Sequence, residues 1–317
     1  MVASLLERPA FILFETIFLG TSASAPSIQR SLPALVVSHE EYRFLVDCGE
    51  GTQRQILKSG IGFKRLNRIL ITHSHLDHIL GLAGLISTLL RWEAMDDLEI
   101  FASPGAMERI HDLVYGVVLR GARNTPVTLT EIGEGPFFRG EDFEVSAFRV
   151  PHRHTDSRGF LFEEKGRRPF LPEKAEALDI PMGPWRKSLV DGETVTLPDG
   201  RVIEPDQVLG EFKPGTRFVC IGDLGDTRGL DEICREADGL VIEATYLEED
   251  AQMARQFDHL TARQAAELAK RAGVAQLVLT HVSRRYREKD ILAEAQEVFP
   301  NVQVARDFDT FNFKRGK

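Results

Sequence analysis

The sequence predicts a domain of mixed α and β structure, and three observations support this prediction. Short apolar runs with the alternation typical of strands recur along the 317 residues, and helix-like stretches lie between many of them. Residue types that bind metals stand where several of these runs end, from His73 to His281, so one site would connect most of the chain. No linker rich in Pro, Gly or Ser divides the sequence. Residues 1–317 are therefore predicted to form a single domain.

The predicted strands are short segments that are apolar throughout or alternate apolar with polar residues. In chain order they are Phe14 to Leu19, Ala34 to Val37, Tyr42 to Val46, Arg68 to Ile71, Leu98 to Phe101, Phe143 to Val150, Gly159 to Phe162, Arg217 to Ile221, Leu240 to Ile242, Gln276 to Thr280 and Thr310 to Phe313. The clearest predicted helix is Ala262 to Arg271, where Thr261 and Gln264 have the sequence of a capping box. Gly273 then supplies a stop. The apolar segment from His78 to Trp92 is predicted to be a buried helix.

The most informative motif is the run from His73 to His78 (HSHLDH), which directly follows a predicted strand. Neutral imidazole nitrogens and carboxylate oxygens suit Zn²⁺ and related divalent ions. On a turn after a strand, His73 and His75 can share one ion while Asp77 and His78 turn towards another. A solvent-exposed histidine-rich turn is the alternative, and an Asp at this spacing after a buried strand argues against it.

Other predicted strands end in residues that could complete such a site. His152, Asp223 and His281 each stand where a strand stops, and function gathers on the loops that a sheet positions. A carboxylate such as Asp223 can bridge two ions. Two neighbours compete for these roles, since His154 follows His152 by two residues and Asp226 follows Asp223 by three. His152 and Asp223 are preferred because they stand closer to the strand ends.

Composition limits the classes of function. The formal net charge of −9 argues against a strongly basic nucleic-acid binder, although bound metal ions would add positive charge at the site. The three cysteines have no paired spacing, which favours core positions in a reducing compartment over a disulfide framework. The segment Ala10 to Leu19 is interrupted by Glu15 and no cleavage-site pattern follows, so we expect a strand there and not a signal or membrane anchor. The protein is accordingly expected in the cytoplasm, with no membrane partner.

The HxHxDH motif, with a later His, a later Asp and a last His, resembles the pattern of the metallo-β-lactamase superfamily. Further segments resemble its tRNA 3′-processing branch, ribonuclease Z, and the resemblance extends from about Phe14 to Phe313. The most selective segments are DCGEGTQRQ (47–55), HLTARQAA (259–266), THVSRRY (280–286), and Gly183-Pro184 followed by GETVTLPDGR (192–201).

The resemblance implies a four-layer αββα sandwich with a protruding arm at about residues 163–215 that grips tRNA. It also implies two Zn²⁺ ions per chain, with Mn²⁺ or another divalent ion as alternatives, precursor tRNA as the substrate, and a homodimer. The implied ligands are His73, His75 and His152 for one ion, Asp77, His78 and His281 for the other, and Asp223 for both. The residues expected to contact the substrate are Gly183, Pro184, Arg186, Lys187 and Arg285. A solvated loop is the alternative for the arm, because acidic residues are interleaved with its basic ones.

Phosphodiester hydrolysis also needs a proton for the leaving oxygen. The resemblance implies that His259 supplies it, oriented by the carboxylate of Glu243, and that Asp77 steers the attacking water or accepts its proton. A His paired with a carboxylate has a fixed tautomer and a raised pKa, which suits a general acid. A polar cap before the following helix is the alternative for His259. The family commonly has a His where Ile242 stands, so that extra imidazole is absent here.

The predicted function is metal-dependent endonucleolytic removal of the 3′ trailer of precursor tRNA. A small-molecule phosphodiesterase, or a lactone or thioester hydrolase on the same sandwich, is the main alternative, and a metal-bound protein without turnover is another. The segment at Gly183-Pro184 favours the first function, because a small substrate does not need a clamp remote from the site. The loop from Pro26 to Ser31 departs from the family pattern, so recognition of the tRNA CCA end is not carried over.

Overall fold

Two seven-stranded sheets face each other and carry helices on both outer faces, which confirms the predicted αββα sandwich. The structure is a computed structural model that describes residues 14–92, 97–122 and 125–315. The beginning of the segment Ala10 to Leu19 lies outside the described residues, and its strand is described from Phe14. Among the described residues, no helix has the length and apolar composition needed to span a bilayer.

The described residues form strands and helices in the following chain order. The strands are β1 (Phe14–Gly20), β2 (Ala34–His39), β3 (Tyr42–Val46), β4 (Arg68–Leu70), β5 (Leu98–Ala102), β6 (Val127–Glu131), β7 (Gly135–Arg139), β8 (Phe143–His152), β9 (Thr155–Glu164), β10 (Val195–Thr196), β11 (Val202–Ile203), β12 (Arg217–Cys220), β13 (Gly239–Glu243), β14 (Leu277–Thr280), β15 (Val302–Val304) and β16 (Thr310–Phe313). The helices are α1 (Thr52–Ser59), α2 (Leu76–Ile79), α3 (Gly81–Arg91), α4 (Pro104–His111), α5 (Pro172–Ala177), α6 (Pro184–Val190), α7 (Asp231–Cys234), α8 (Ala251–Phe257), α9 (Ala262–Ala272) and α10 (Glu288–Gln296), with a π-helical turn at Asp112–Val118 and 3₁₀ turns at Pro205–Gln207 and Glu248–Asp250. The first sheet has the order β16-β1-β2-β3-β4-β5-β6, the second has the order β15-β14-β13-β12-β9-β8-β7, and β10 and β11 form a separate pair.

Parallel strands define the functional edge of the sandwich. In the first sheet β3, β4 and β5 run parallel, and in the second sheet β12, β13 and β14 do so. The carboxyl ends of parallel strands meet at one edge of a sheet, where ligand sites commonly form. Side chains that directly follow these strands are therefore brought to a common edge.

Three apolar clusters hold the layers together. The cluster between the sheets is rich in aromatic rings, with centroid distances of 6.1 Å for Phe14 and Phe143 and 5.6 Å for Phe44 and Phe162. The other two clusters lie between each sheet and its own helices. All three cysteines are buried, in agreement with the prediction of core positions. Each favourable aromatic pair contributes about 0.5–1.5 kcal/mol beyond its buried area, so these rings stabilise the packing of the two sheets against each other.

The predicted helix after Leu260 is present as α9, with the predicted caps. The Thr261 hydroxyl accepts a hydrogen bond from the Gln264 amide at 3.2 Å, and the Gln264 side chain accepts one from the Thr261 amide at 2.9 Å. Gly273 ends the helix with a φ of 68°, a conformation that favours glycine. The capping box therefore fixes the start of the helix at Ala262, three residues after His259.

The predicted helix from His78 to Trp92 is wrong in detail, because two helices occupy this region. The first, α2, begins at Leu76, and the second, α3, begins at Gly81. A Cβ atom on Gly81 would lie 2.0 Å from the carbonyl oxygen of Gly49, so this close approach of helix and loop requires glycine.

The strands that the sequence did not predict are those of the arm and three edge strands. β6, β7 and β15 each lie at the edge of a sheet and are only partly buried. These strands have only three to five residues, which is too short a run to show a clear apolar pattern.

The segment between β9 and β12 has a small apolar core of its own. We refer to residues 165–216 as the arm, since β9 extends to Glu164 and β12 begins at Arg217. Its core residues are Ala175, Ile180, Leu189, Val195, Leu197, Ile203 and Val208. Antiparallel bridges join Arg167 to Lys213 and Phe170 to Leu209, so the first and last segments of the arm run side by side where they join the sandwich.

Candidate active site

The HxHxDH motif is divided between a turn and a helix. His73 and His75 lie on the extended turn after β4, whereas Asp77 and His78 lie in α2. His73 and His78 are buried, and His75 and Asp77 are partly exposed. The change from extended to helical backbone directs the two pairs to neighbouring but separate points.

The first group of candidate ligands contains three imidazoles and one carboxylate. The His75 Nδ1 atom lies 2.9 Å from His73 Nε2 and 3.2 Å from His152 Nε2. The Oδ2 atom of Asp223 lies 3.8 Å from His73 Nε2 and 3.8 Å from His152 Nε2. The four candidate ligand atoms lie within 4.8 Å of one another, which is close enough for one ion to contact all four.

The second group uses the other oxygen of the same carboxylate. Asp223 Oδ1 lies 3.5 Å from His78 Nε2 and 3.3 Å from His281 Nε2. The Oδ2 atom of Asp77 lies 3.6 Å from His78 Nε2 and 3.7 Å from His281 Nε2. Asp223 is therefore shared by both groups, with one oxygen facing each.

Unsatisfied buried atoms show that these residues fit divalent cations. His78 Nε2, Asp223 Oδ1 and His281 Nε2 are buried, and none has a hydrogen-bond partner among the described residues. A buried polar atom without a partner costs about 1–3 kcal/mol, so three such atoms at one point are suited to hold a cation. Imidazole nitrogens and carboxylate oxygens together suit Zn²⁺ and similar ions.

Burial also favours the protonation state that metal binding needs. It lowers the pKa of His73 and of His152, and with the charge of His152 it lowers the pKa of His75 to about 4. These imidazoles are therefore neutral at pH 7 and have a lone pair to offer. At His78 burial acts in the same direction, but the charges of Asp223 and Asp47 raise the pKa well above its usual value.

A buried carboxylate behind the second group orients one of its ligands. Asp47 Oδ2 lies 2.7 Å from His78 Nδ1, and Asp47 Oδ1 accepts a hydrogen bond from the Thr72 amide at 2.8 Å. With an ion bound in place of the Nε2 proton, His78 would donate the Nδ1–H hydrogen bond to Asp47, and Nε2 would offer its lone pair to the ion. Asp47 directly follows β3 and has a φ of 60°, a backbone conformation that Asp and Asn tolerate better than most residues.

His259 lies beside the two ligand groups and is paired with a fully buried carboxylate. Its Nδ1 atom is 2.9 Å from Glu243 Oε1, and its ring centroid is 5.2 Å from that of His152. Glu243 also accepts hydrogen bonds from the amide of Leu224 at 2.8 Å and from the hydroxyl of Thr245. Burial lowers the pKa of His259, but the charge and hydrogen bond of Glu243 outweigh it and raise the pKa to about 9. His259 is therefore protonated at neutral pH.

The two competing candidates lie away from the ligand groups. His154 is exposed on the tight turn between β8 and β9, whereas His152 is the last residue of β8 and points into the first group. The Asp226 carboxylate accepts a hydrogen bond from the Arg228 amide at 2.8 Å and also pairs with the Arg228 guanidinium. This arrangement makes Asp226 part of a local turn.

The residues predicted to contact substrate differ in their exposure to solvent. Gly183 has a φ of 129° and precedes Pro184, which opens α6, and Lys187 is exposed on that helix. Arg285 is exposed on the loop after β14. The prediction that Arg186 meets a phosphate is contradicted, because its guanidinium is buried and donates hydrogen bonds to the carbonyl of Ile180 at 3.1 and 2.7 Å. Arg186 instead stabilises the core of the arm.

Sequence reasoning did not assign roles to two residues that support the site. Asp47 stands directly after β3, so the rule that ligands follow strands could have identified it. The hydroxyl of Thr245 lies 2.9 Å from His281 Nδ1 and contacts Glu243, so it connects the candidate ligand to the His259 pair. No sequence signal distinguishes Thr245 from other threonines.

Comparisons with known proteins agree with this geometry. The chain is 47% identical to ribonuclease Z of Bradyrhizobium diazoefficiens over 297 residues, covering 94% of this chain and 99% of that protein. This chain belongs to the ribonuclease Z family. Ribonuclease Z of Archaeoglobus fulgidus is 40% identical and covers 94% of this chain and 97% of its own length.

Solved structures and one family model extend the comparison. The human tRNase Z short form has a TM-score of 0.62 at 28% identity and covers 94% of this chain and 98% of its own. The metallo-β-lactamase fold protein YhfI of Bacillus subtilis has a TM-score of 0.69 at 16% identity, covers 95% and 99% of the two chains, and supports the fold alone. The model of a family described as Anti-Pycsar protein Apyc1 matches residues 14–170. That match ends within the arm, whereas the ribonuclease Z family accounts for nearly the whole chain.

Proposed function

We propose that this protein is a metal-dependent endoribonuclease that removes the 3′ trailer of precursor tRNA. The observation that supports this most strongly is the carboxylate of Asp223, shared by two ligand groups next to the His259–Glu243 pair, in a chain of the ribonuclease Z family. The arrangement provides for the two requirements of phosphodiester hydrolysis, a bound nucleophile and a proton for the leaving oxygen.

We further propose that each chain holds two divalent ions, with Zn²⁺ preferred over Mn²⁺. The first ion would be held by His73, His75, His152 and Asp223, and the second by Asp77, His78, His281 and Asp223. When bound, the ions would lower the pKa of water and offset the negative charge that develops on the attacked phosphate. Elemental analysis after purification without chelators tests the number and the identity of the ions.

The side chains of the protein have distinct roles in this proposal. The His259 Nε2–H group donates a proton to the leaving oxygen, while Glu243 holds the opposite nitrogen and stabilises the imidazolium. Asp77 orients the attacking water or accepts its proton. The carboxylate of Asp77 is itself oriented by the amide of Ser24 at 3.1 Å.

The arm is proposed to grip tRNA at a distance from the scissile bond and to serve the site of a second subunit in a homodimer. Its attachment supports this proposal. Thr155 pairs with His152 at the site end of β9, and the arm leaves from Glu164 at the other end. At about 3.3 Å per residue the attachment lies roughly 30 Å from the site edge. An arm attached there is suited to reach a neighbouring chain.

The proposed reaction is tested by incubating the protein with a 3′-extended precursor tRNA, a chromogenic phosphodiester and a lactone under the same conditions. Endonucleolytic release of the trailer at a rate far above that of the small esters is the expected result. Turnover of the phosphodiester or the lactone with no cleavage of the RNA would instead support a small-molecule hydrolase.

The proposal that the arm of one subunit serves the site of the other is tested by mixing two defective variants. One lacks the arm but keeps the site, and the other keeps the arm but carries His259→Gln. If each arm serves the neighbouring site, mixed dimers regain cleavage, because an intact arm then lies over an intact site. Light scattering measures the oligomeric state of each variant alone. Mixed dimers without activity, or monomers that cleave normally, would contradict the trans arrangement.

A further inference from the structure

Two exposed side chains flank the candidate general acid, and neither is explained by the proposed reaction. Arg153 directly follows the candidate ligand His152, and Phe257 precedes His259 by two residues. We propose that they bind the nucleotide that carries the leaving oxygen. In this proposal Arg153 contacts the phosphate next to the scissile one, and the Phe257 ring supports the base or ribose. The inference rests on the proposed endoribonuclease function and adds a substrate contact to it.

The Arg153 side chain is held in one orientation by the turn that precedes His259. Its Nε atom donates a hydrogen bond to the Phe257 carbonyl at 2.8 Å, and its amide donates one to Asp258 Oδ2 at 3.0 Å. The guanidinium carbon lies 5.2 Å from the centroid of the Phe257 ring, within the range of a cation–π contact. An arginine held in this way loses little further conformational entropy when it binds a ligand.

The same turn connects the pair to the reacting groups. The His152 Nδ1–H group donates to the Asp258 carbonyl at 2.7 Å, and the rings of His152 and His259 lie 5.2 Å apart. A nucleotide that receives a proton from His259 would therefore pass close to Arg153.

The free hydrogen-bonding capacity of Arg153 favours a phosphate ligand. Within residues 14–92, 97–122 and 125–315, no carboxylate forms an ion pair with its guanidinium, and the Nη atoms have no protein acceptor. In a chain of net charge −9, an unpaired arginine fork beside the site is suited to an anion, and a planar fork matches phosphate oxygens.

The Phe257 ring supplies the second half of the contact. It is 37% exposed although it is a large apolar side chain, and one of its faces is covered by Arg153. Exposed aromatic rings next to arginines are typical platforms for unpaired nucleotides, and stacking contributes about 1–3 kcal/mol per base. The 3′ end of a precursor tRNA at the cleavage site is a single strand whose bases are available for such a contact.

The test compares Arg153→Ala, Arg153→Lys and Phe257→Ala with Arg139→Ala as the matched control. Arg139 is also exposed, but it is paired with Glu144 at the opposite end of β8 from the site. Steady-state cleavage of precursor tRNA is measured over a range of salt concentrations, together with metal content and hydrolysis of a chromogenic phosphodiester.

Arg153→Ala should raise KM for precursor tRNA about 10-fold or more, as expected for loss of a hydrogen bond between charged groups. The slope of log affinity against log salt should become shallower by about 0.7–1, since one phosphate contact is lost. Arg153→Lys should keep the slope but raise KM, because the charge stays while the fixed fork is lost. Phe257→Ala should raise KM at least about 5-fold with the slope unchanged. Arg139→Ala should match the wild type on both substrates.

Several outcomes would overturn the inference. If Arg153→Ala loses metal, or slows the chromogenic ester as much as the RNA, Arg153 is a structural support for His152. If its KM and salt slope match those of Arg139→Ala, no phosphate is bound there. A wild-type protein that fails to cleave precursor tRNA at all would refute the proposed function itself, so the two failures are distinguishable.

Discussion

Replacing Asp47 by Asn should weaken metal binding about 10- to 100-fold, although Asp47 is not a candidate ligand. The prediction follows from the hydrogen bond of 2.7 Å between Asp47 Oδ2 and His78 Nδ1. An amide nitrogen in place of Oδ2 would place one hydrogen-bond donor, the Asn NH₂ group, against another, the Nδ1–H group of His78. His78 could avoid this conflict by moving its proton to Nε2, but the lone pair that faces Asp223 would then be lost.

The size of the effect can be worked out from the contacts that survive. Asn can keep the bond from its oxygen to the Thr72 amide, which is 2.8 Å long in the wild type. The φ of 60° at position 47 is tolerated by Asn, so the backbone adds little strain. The remaining cost is one buried donor without an acceptor, on the order of 1–3 kcal/mol, which corresponds to roughly 5- to 150-fold in affinity.

The assay is competition for Zn²⁺ between the metal-free protein and a chromogenic chelator at fixed pH. Asp238→Asn is a matched control, because Asp238 is also a buried carboxylate that accepts a backbone hydrogen bond, from Arg217 at 2.9 Å, but it precedes β13 at the opposite edge. Urea unfolding of both metal-free variants shows whether each is folded. Equal zinc affinities for Asp47→Asn and Asp238→Asn would refute the tautomer argument.

Four further results are expected. Asp223→Asn should remove more metal than Asp226→Asn, because only Asp223 faces both ligand groups, and equal losses in elemental analysis would contradict its shared role. His259→Gln should keep its metal yet cleave about 10²- to 10⁴-fold more slowly, so parallel loss of metal would make His259 a ligand. Because Glu243 raises the pKa of His259 to about 9, kcat/KM should fall as pH rises through that value. Glu243→Gln should shift this decrease to lower pH. A decrease that stays at the same pH in Glu243→Gln would arise from the titration of another group. Residues 171–208 can be replaced by Asn-Gly, a turn that suits the bridge between Phe170 and Leu209. This replacement should weaken binding of precursor tRNA far more than it slows hydrolysis of a small phosphodiester. Unchanged affinity for precursor tRNA at fixed salt would contradict the proposal that the arm binds tRNA.

The elements that sequence reasoning predicted well are those whose two sides are both buried. The strands before His73, Asp223 and His281 are continuous apolar runs in the middle of a sheet, so their ends, and the polar residues there, could be read directly. The capping box at Thr261 is equally local, since it needs only residues three apart.

The features that sequence reasoning missed depend on distant or hidden partners. Asp47 contacts His78 across 31 positions of the chain, and no local pattern encodes that pairing. Arg186 was predicted as a phosphate contact because composition cannot distinguish an exposed guanidinium from one that donates to a carbonyl in a small core. The edge strand β7 contains Pro136 and has no fully buried residue, so it lacks the continuous apolar run of a central strand.

The position of Asp223 between the two ligand groups has a consequence for folding as well as for chemistry. His73 and His78 follow a strand of the first sheet, whereas His152, Asp223 and His281 lie at strand ends of the second. Metal bound at this edge would therefore fasten one half of the sandwich to the other, as a reversible crosslink. A ligand whose free concentration is 100 times its Kd stabilises the folded state by about 2.7 kcal/mol. The free energy of unfolding would therefore increase with the free metal concentration.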